Sequence, residues 1–355
     1  MNFVHIADMH FDVPFTTLNK NDLGNERRLE QREAFRKIIE YIKQNEIDYF
    51  FICGDLYEHE YVKQSTIEYI NNQFKEISRT KIYIVPGNHD PKVTNSYYSK
   101  FKWNDNVHIF SSEIEKISEE NINIYGFGFD NFYMKNTKIN EIQIDEPNKI
   151  NILLTHGSID GGNDELREYN PMKGQELKTL GFDYIALGHI HKSNYEKENL
   201  SNIIYPGSTI SCGFDELGSH GMIVGNIDEN KKLQVAFVPV DKKQFYEISL
   251  SVDNILSKEE LIEAINYRTW NEDGYYKIIL TGKRNFEIQP LEILKYITVR
   301  NIIKIKDNTT MKIDLDKLAQ EESLKGIFVK NLLEKISDEN KEEILKAIEI
   351  GLEAM

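Results

Sequence analysis

The sequence predicts an α/β protein with a second, smaller domain at its C-terminal end. Three observations carry that prediction. Short apolar runs rich in β-branched and aromatic residues recur through the first 240 or so positions, each run stops at a polar or glycine-containing loop, and helical periodicity follows some of them. The runs at 3–6, 49–53, 82–85, 150–154 and 184–187 are short enough, and apolar enough on both faces, to be buried strands. Between the first two, Leu29, Ala34, Ile38 and Ile42 recur every four or five residues within 25–45, and a second such pattern covers 65–77. Both predict crossover helices. Runs at 203–205, 222–224 and 233–238 are separated by Gly and Asn turns without room for helices, which predicts an antiparallel meander. Composition changes near Asp241-Lys242-Lys243. The expected domains are therefore 1–243 and a mixed α+β domain at 244–355, with strand-like segments at 275–280 and 299–305 and a helical C-terminal stretch.

A chain of 355 residues with 40% hydrophobic and 28% charged residues can bury a core, which excludes a disordered chain. No apolar run reaches the roughly 18–20 residues of a membrane span, and no basic leader precedes an apolar segment, so the expected location is cytoplasmic, with no membrane partner. Cys53 and Cys212 are too few for a disulfide framework and are expected to be buried small hydrophobes. The net charge of -15 opposes the surface of a strong autonomous nucleic-acid binder.

Each of the five buried strands leads at once into a cluster of His, Asp and Asn: Asp8-Met9-His10, Gly54-Asp55, Gly87-Asn88-His89-Asp90, Thr155-His156-Gly157 and Gly188-His189-Ile190-His191. Five of the nine histidines lie in them. Strand ends are where ligand sites assemble in α/β sheets. Carboxylate and amide oxygens mixed with imidazole nitrogens suit Mn, Fe or Zn, and a carboxylate can bridge two such ions. Asp8, His10, Asp55, Asn88, His156, His189 and His191 are the seven candidate ligands, with two divalent cations, Mn foremost, as the expected cofactors. Alternation along extended segments would aim the members of the Asp8/His10 and His189/His191 pairs the same way, and Gly54, Gly87 and Gly188 would let the backbone turn beside the ions. A lone Asp after a strand is often a helix cap and a lone His often a core residue, but five clusters in this order outweigh that reading. His5 and His108 sit in apolar contexts and are expected to pack as structural residues. Asp12 and Asp90 are either caps or supports for ligand histidines.

The order Asp-x-His, Gly-Asp, Gly-Asn-His-Asp, His, Gly-His-x-His resembles the calcineurin-like metallophosphoesterases over residues 1 to about 240. That resemblance implies a four-layer sandwich, two mixed β-sheets packed face to face and flanked by helices, with the C-terminal α+β domain as a cap. It implies that Asp8, His10 and His191 hold one metal, that Asn88, His156 and His189 hold the other, and that Asp55 bridges them. A hydroxide bridging the metals would attack a phosphate ester, and His89 would face the substrate as a catalytic residue whose protonated imidazole stabilises the transition state or protonates the leaving oxygen. The segments 5–12, Tyr205-Pro206-Gly207-Ser208 and Phe214-Asp215-Glu216 are similar to the DNA-repair nuclease branch of SbcD- and YhaO-type proteins. The activity implied is a phosphodiesterase acting on DNA, as an exonuclease or endonuclease. The implied partners are DNA, a coiled-coil ATPase subunit of the SbcC kind, and a second copy of the chain in a homodimer. A phosphodiesterase acting on nucleotides or other small diesters is the alternative.

At the third position after Asp55 the phosphoprotein phosphatases have an Asp that orients the catalytic histidine and the recombination nucleases a His, whereas this chain has Glu58. Glu58 is expected to hydrogen-bond His89 and raise its pKa, as a second catalytic residue. The phosphatases follow that Asp with an Arg that clamps a terminal phosphate, and the residue here is His59, which argues against a phosphoprotein phosphatase. In the C-terminal region Lys283, Arg284, Arg300, Lys304 and Lys306, with Tyr275, Tyr276 and Tyr296, could touch a nucleic-acid backbone, although a solvated face over core tyrosines is the favoured reading.

Overall fold

The computed structural model describes residues 1–18, 22–160, 169–196, 198, 201–268, 270–312 and 314–355. The chain forms two compact units, Met1–Tyr246 with Asn271–Tyr276, and Glu247–Trp270 with Lys277–Met355. The strands of the first unit are β1 (Asn2–Ile6), β2 (Tyr49–Cys53), β3 (Lys81–Val85), β4 (Val107–Ile109), β5 (Glu115–Ser118), β6 (Ile122–Gly126), β7 (Ile150–His156), β8 (Tyr184–Gly188), β9 (Ile203–Ile204), β10 (Gly221–Ile227) and β11 (Leu233–Pro239). They make two mixed sheets, ordered β11-β10-β1-β2-β3-β4 and β5-β6-β7-β8-β9. Strands β1 to β4 are parallel and β10 joins β1 antiparallel. In the second sheet β6 to β9 are parallel and β5 is an antiparallel edge.

Alternate residues of a strand point to opposite faces, so Phe3, Phe51 and Tyr83 of one sheet meet Ile124, Ile152 and Tyr184 of the other in a single buried layer. The rings of Phe3 and Tyr184 lie 4.6 Å apart. The outer face of the first sheet is covered by α1 (Leu23–Gln44) and α2 (Gln64–Glu76), where Phe35 and Phe50 both pack on Phe74. Of the short helices α3 (Tyr97–Lys100) and α4 (Gly174–Thr179), the second lays Leu177 against Leu153, Ile185 and Leu187 on the outer face of the second sheet. The fold is thus α/β, two mixed sheets between helical layers, the layer over the second sheet being much the thinner.

The stretch 203–238 is not one antiparallel meander. β9 lies parallel to β8 in the second sheet, while β10 and β11 pair antiparallel in the first. The connection after Gly188 is long enough for a parallel crossover, and turn residues alone do not say which sheet a strand joins. Nor do the units meet at a single boundary near residue 244: buried Tyr275 packs 5.0 Å from Phe245, and Arg27, fully buried and paired with Asp241, lies 5.8 Å above the Tyr275 ring. These contacts draw 271–276 back into the first unit. Tyr275 and Tyr276 are buried and present no face to a nucleic acid, whereas Tyr296 is exposed. Cys53 is buried, and Cys212 only partly so.

The second unit takes in most of β12 (Gln244–Ser251), α5 (Lys258–Tyr267), most of β13 (Gly274–Thr281), β14 (Lys283–Arg284), α6 (Pro290–Tyr296), β15 (Ile302–Asp307) and β16 (Thr310–Met311). β12, β13 and β15 form a three-stranded sheet, and β14 pairs parallel with β16. Helices α7 (Leu315–Leu318), α8 (Leu324–Leu333) and α9 (Lys341–Ala354) share a small core of Val329, Ile348 and Leu352, but Leu324 and Ile327 stay exposed.

Candidate metal centre

The parallel direction of β1, β2 and β3, and of β7 and β8, brings all five polar clusters to one edge of the sandwich. Backbone hydrogen bonds lock the loops together there: Asp8 N–H donates to Gly54 O, His10 N–H to Asp55 O and Gly157 N–H to Gly188 O. Asp8, His10, Asp55 and His189 have φ of 50°, 49°, 53° and 100°, a left-handed backbone that costs non-glycine residues on the order of 1–3 kcal/mol each. The chain is therefore not extended at these positions, and alternation does not set the aim of the side chains. His189 turns toward Asn88 and His156, whereas His191 meets His10. Gly54 has φ +84° and faces His156, whose Nδ1 would lie 2.1 Å from a Cβ at that position. At Gly188 a Cβ would lie 1.8 Å from Cys53 O, so closeness of approach, not a turn, requires that glycine.

The seven side chains fall into two adjoining groups. In one, His10 Nε2 and His191 Nε2 are 3.1 Å apart, and Asp8 Oδ1 lies 3.9 Å from His191 Nε2. In the other, Asn88 Oδ1 is 3.0 Å from His156 Nε2 and 3.1 Å from His189 Nδ1. Asp55 Oδ2 stands between them, 3.8 Å from His10 Nε2 and 3.3 Å from His156 Nε2. Asp8, His10 and His191 present donor atoms within 4.8 Å of one another, and so do Asp8, Asp55 and His156. The ring contacts show what such a set is fitted to hold. His10 Nδ1 and His191 Nδ1 each donate to a carboxylate, Glu58 Oε1 and Glu216 Oε1, both at 2.7 Å. With Nδ1 spent on a carboxylate, each ring turns Nε2 toward the other, where a cation between them can take both nitrogens as ligands. The donor set of carboxylate, amide oxygen and imidazole fits divalent cations such as Mn, Fe or Zn.

The local field points the same way. Burial pushes the Asp8 carboxyl up, against the pull of His191, His156 and His10. Asp55 is also buried, but His156, His89 and His10 hold it well below the usual carboxylate range. Burial disfavours a charged His156, yet Asp55 holds it up to about 9; for His191, Glu216 and Asp8 do the same, also to about 9. His189 goes the other way, to about 3, under burial and the neighbouring His156. Beside the cluster, His89 Nδ1 donates to Glu58 Oε2 at 3.0 Å, so one carboxylate holds both His10 and His89. Burial would raise Glu58, but its two histidines bring it down to about 2, and His89 in return is held up to about 9.

Of the other polar residues, His5 is buried between the sheets, with Nδ1 2.9 Å from Tyr184 Oη and Nε2 3.2 Å from Leu187 O, apart from the site. His108 is not packed away: it sits on edge strand β4, partly exposed and paired with Glu115 at 3.1 Å. Asp12 serves α2, accepting from Lys63 N–H and Thr66 Oγ1. Asp90 supports the site itself. Fully buried, it accepts from the backbone N–H of Asp55, Leu56 and Gly87 and from Tyr98 Oη at 2.6 Å, tying the second loop to the third. Two features escape the sequence reading: Glu216, whose one signal is its place in Phe214-Asp215-Glu216, and a cleft of about 310 Å³ beside His89 lined by Tyr61, Phe132, Tyr133 and Tyr169.

The strand-end side chains are candidate ligands, and a comparison with known families gives the class. A model of the family described as calcineurin-like phosphoesterase matches residues 1–193, and the chain belongs to that family of metal-dependent phosphoester hydrolases. Among its relatives is the uncharacterized metallophosphoesterase YhaO of Bacillus subtilis (strain 168), 27% identical over 233 residues, or 62% of this chain. The match spans 56% of that relative's own length. The crystal structure of TT1561 of Thermus thermophilus aligns over 67% of this chain and 98% of its own, at 12% identity and a TM-score of 0.37. Among the described residues no helix is long and apolar enough to cross a membrane.

Proposed function

We propose that the protein is a manganese-dependent phosphodiesterase acting on DNA, a nuclease of the DNA-repair kind. Asp8, His10 and His191 would hold one divalent cation and Asn88, His156 and His189 the other, and the pair would supply Lewis acidity to acidify water and offset charge on the oxygens of a phosphate. The side chains do the rest. Asp55 sits between the groups, Asn88 presents its amide oxygen, and His89 stands beside Asn88 with a proton kept in place by Glu58. A protonated His89, its Nδ1–H held by Glu58, can give its Nε2 proton to the leaving oxygen of the ester.

The observation that carries the substrate class is the cleft next to His89. Tyr61, Phe132 and Tyr133 are 50%, 37% and 47% exposed, and the Tyr133 and Tyr169 rings stack at 5.9 Å. Aromatic faces of this kind accept nucleobases without reading their sequence, each stacked base contributing about 1–3 kcal/mol. The net charge of -15 favours DNA held jointly with another subunit. The proposed partners are accordingly DNA, a coiled-coil ATPase and a second copy of this chain, in the cytoplasm. A second reading is hydrolysis of a small phosphodiester by the chain alone, which needs no extended phosphate-tracking surface of the kind that this charge opposes. Mn-loaded protein assayed on labelled single- and double-stranded DNA, and on bis(p-nitrophenyl) phosphate, separates the two. Cleavage of DNA is expected, and turnover of the small ester alone defeats the nuclease reading.

A further inference from the structure

We propose that Glu216 is a positioning residue of the metal centre and that, with Glu58, it makes the Asp8–His10–His191 position the tighter of the two cation positions. The inference rests on the two-metal reading above and is independent of the substrate.

The two ligand groups are backed differently. At the first position both imidazoles lean on carboxylates, His10 on Glu58 and His191 on Glu216, each through Nδ1 at 2.7 Å. At the second, His156 Nδ1 donates to a neutral acceptor, Cys53 O at 2.9 Å, and His189 spends its own Nδ1 on the Asn88 side. An anionic partner makes an imidazole a stronger donor and fixes its ring more firmly than a carbonyl does.

Glu216 is itself held on every side. Its second oxygen accepts from Ser208 Oγ at 2.8 Å and from Cys212 N–H at 3.2 Å. Ser208 Oγ also lies 2.8 Å from Nδ1 of buried His220, whose Nε2 is 2.9 Å from Glu216 O, and Ser211 Oγ donates to that same carbonyl at 2.8 Å. With its carboxylate, only 13% exposed, held by two donors and its main-chain carbonyl by two more, Glu216 is aimed at a ligand histidine and built to hold it still. The network also gives a task to the loop residues Ser208 and Glu216.

The test is isothermal titration of Mn²⁺ into the metal-stripped full chain, with no substrate present. The native chain is expected to bind in two steps of different affinity. Glu216→Gln keeps the shape and removes the charge. It is expected to weaken the tighter step about 10–100-fold and leave the weaker step within about threefold. Ser208→Ala, which takes away the prop and spares the carboxylate, is expected to weaken the same step by a smaller factor, and it stands in if Glu216→Gln does not fold. Loss of both steps together, loss of the weaker step alone, or no change in either variant overturns the proposal while native Mn²⁺ binding persists. A native chain that binds no Mn²⁺ overturns it together with the two-metal reading.

Discussion

Glu58 accepts the Nδ1 proton of His89 at 3.0 Å, and its other oxygen accepts that of His10 at 2.7 Å. One carboxylate thus links a residue facing the cleft to a residue of the ligand cluster, so that changes at either side are felt at the other.

His89→Ala removes the proposed proton donor without touching a proposed ligand. Turnover of a phosphodiester is expected to fall about 10²–10⁴-fold, while the Mn content of the protein stays at the native value. Loss of metal in that variant would place His89 among the ligands.

Glu58→Gln removes a charge that keeps His89 protonated. His89 stands at about 9 because Glu58 and Asp55 outweigh its burial. A raised histidine is charged below that value and neutral above it, so activity that needs its proton falls as pH rises through about 9. With Gln the fall comes at lower pH, nearer the ordinary 6.5, and the rate at pH 8 drops roughly tenfold relative to the native chain. An unmoved alkaline limb in the pH–rate profile would show that Glu58 does not govern His89.

Proton competition sets the pH dependence of metal binding. His156 and His191 are held up to about 9, above the 6.5 of an unfolded chain. In the metal-stripped protein each contributes stability that is fully present below pH 6.5 and is lost as pH rises through about 9. Metal needs the neutral imidazoles, so Mn²⁺ affinity is expected to increase across that interval, with protons released on binding. Titrations in buffers of different ionisation enthalpy read those protons directly, and pH-independent affinity between 6.5 and 9 would contradict the assignment.

Asp90→Ala leaves four backbone N–H groups, those of Asp55, Leu56, Tyr57 and Gly87, and the Tyr98 hydroxyl without their acceptor inside a closed core. A buried donor left without its acceptor costs about 1–3 kcal/mol, so several lost at once are expected to cost about 3–5 kcal/mol. Denaturant unfolding is expected to show that loss, and the variant is expected to bind Mn²⁺ more weakly because the Asp55 loop loses its anchor. A loss under 1 kcal/mol would mean that the loops hold themselves.

What the sequence discloses follows from which interactions are local. Asp55 is legible because an apolar run, a glycine and a carboxylate stand in one line, and the same holds for His156 and His189. Half-buried edge strands such as β4 and β5 have apolar residues too few and too interrupted to betray them, and β9 has turn residues on both sides that say nothing of its sheet. Asp90 looks the same as a cap until its donors, at Asp55 and Leu56, are brought beside it by the parallel pairing of β2 and β3. Glu216 acts on a histidine 25 residues away across a loop. Tyr275 reads as part of the second domain because its partners, Phe245 and Arg27, are set by packing and not by proximity in the chain.

The most direct measurement is anomalous diffraction from crystals of this chain soaked in manganese. Two peaks are expected, one between Asp8, His10 and His191 and one between Asn88, His156 and His189, with Asp55 touching both. A map with no peak within reach of these seven side chains would contradict the account.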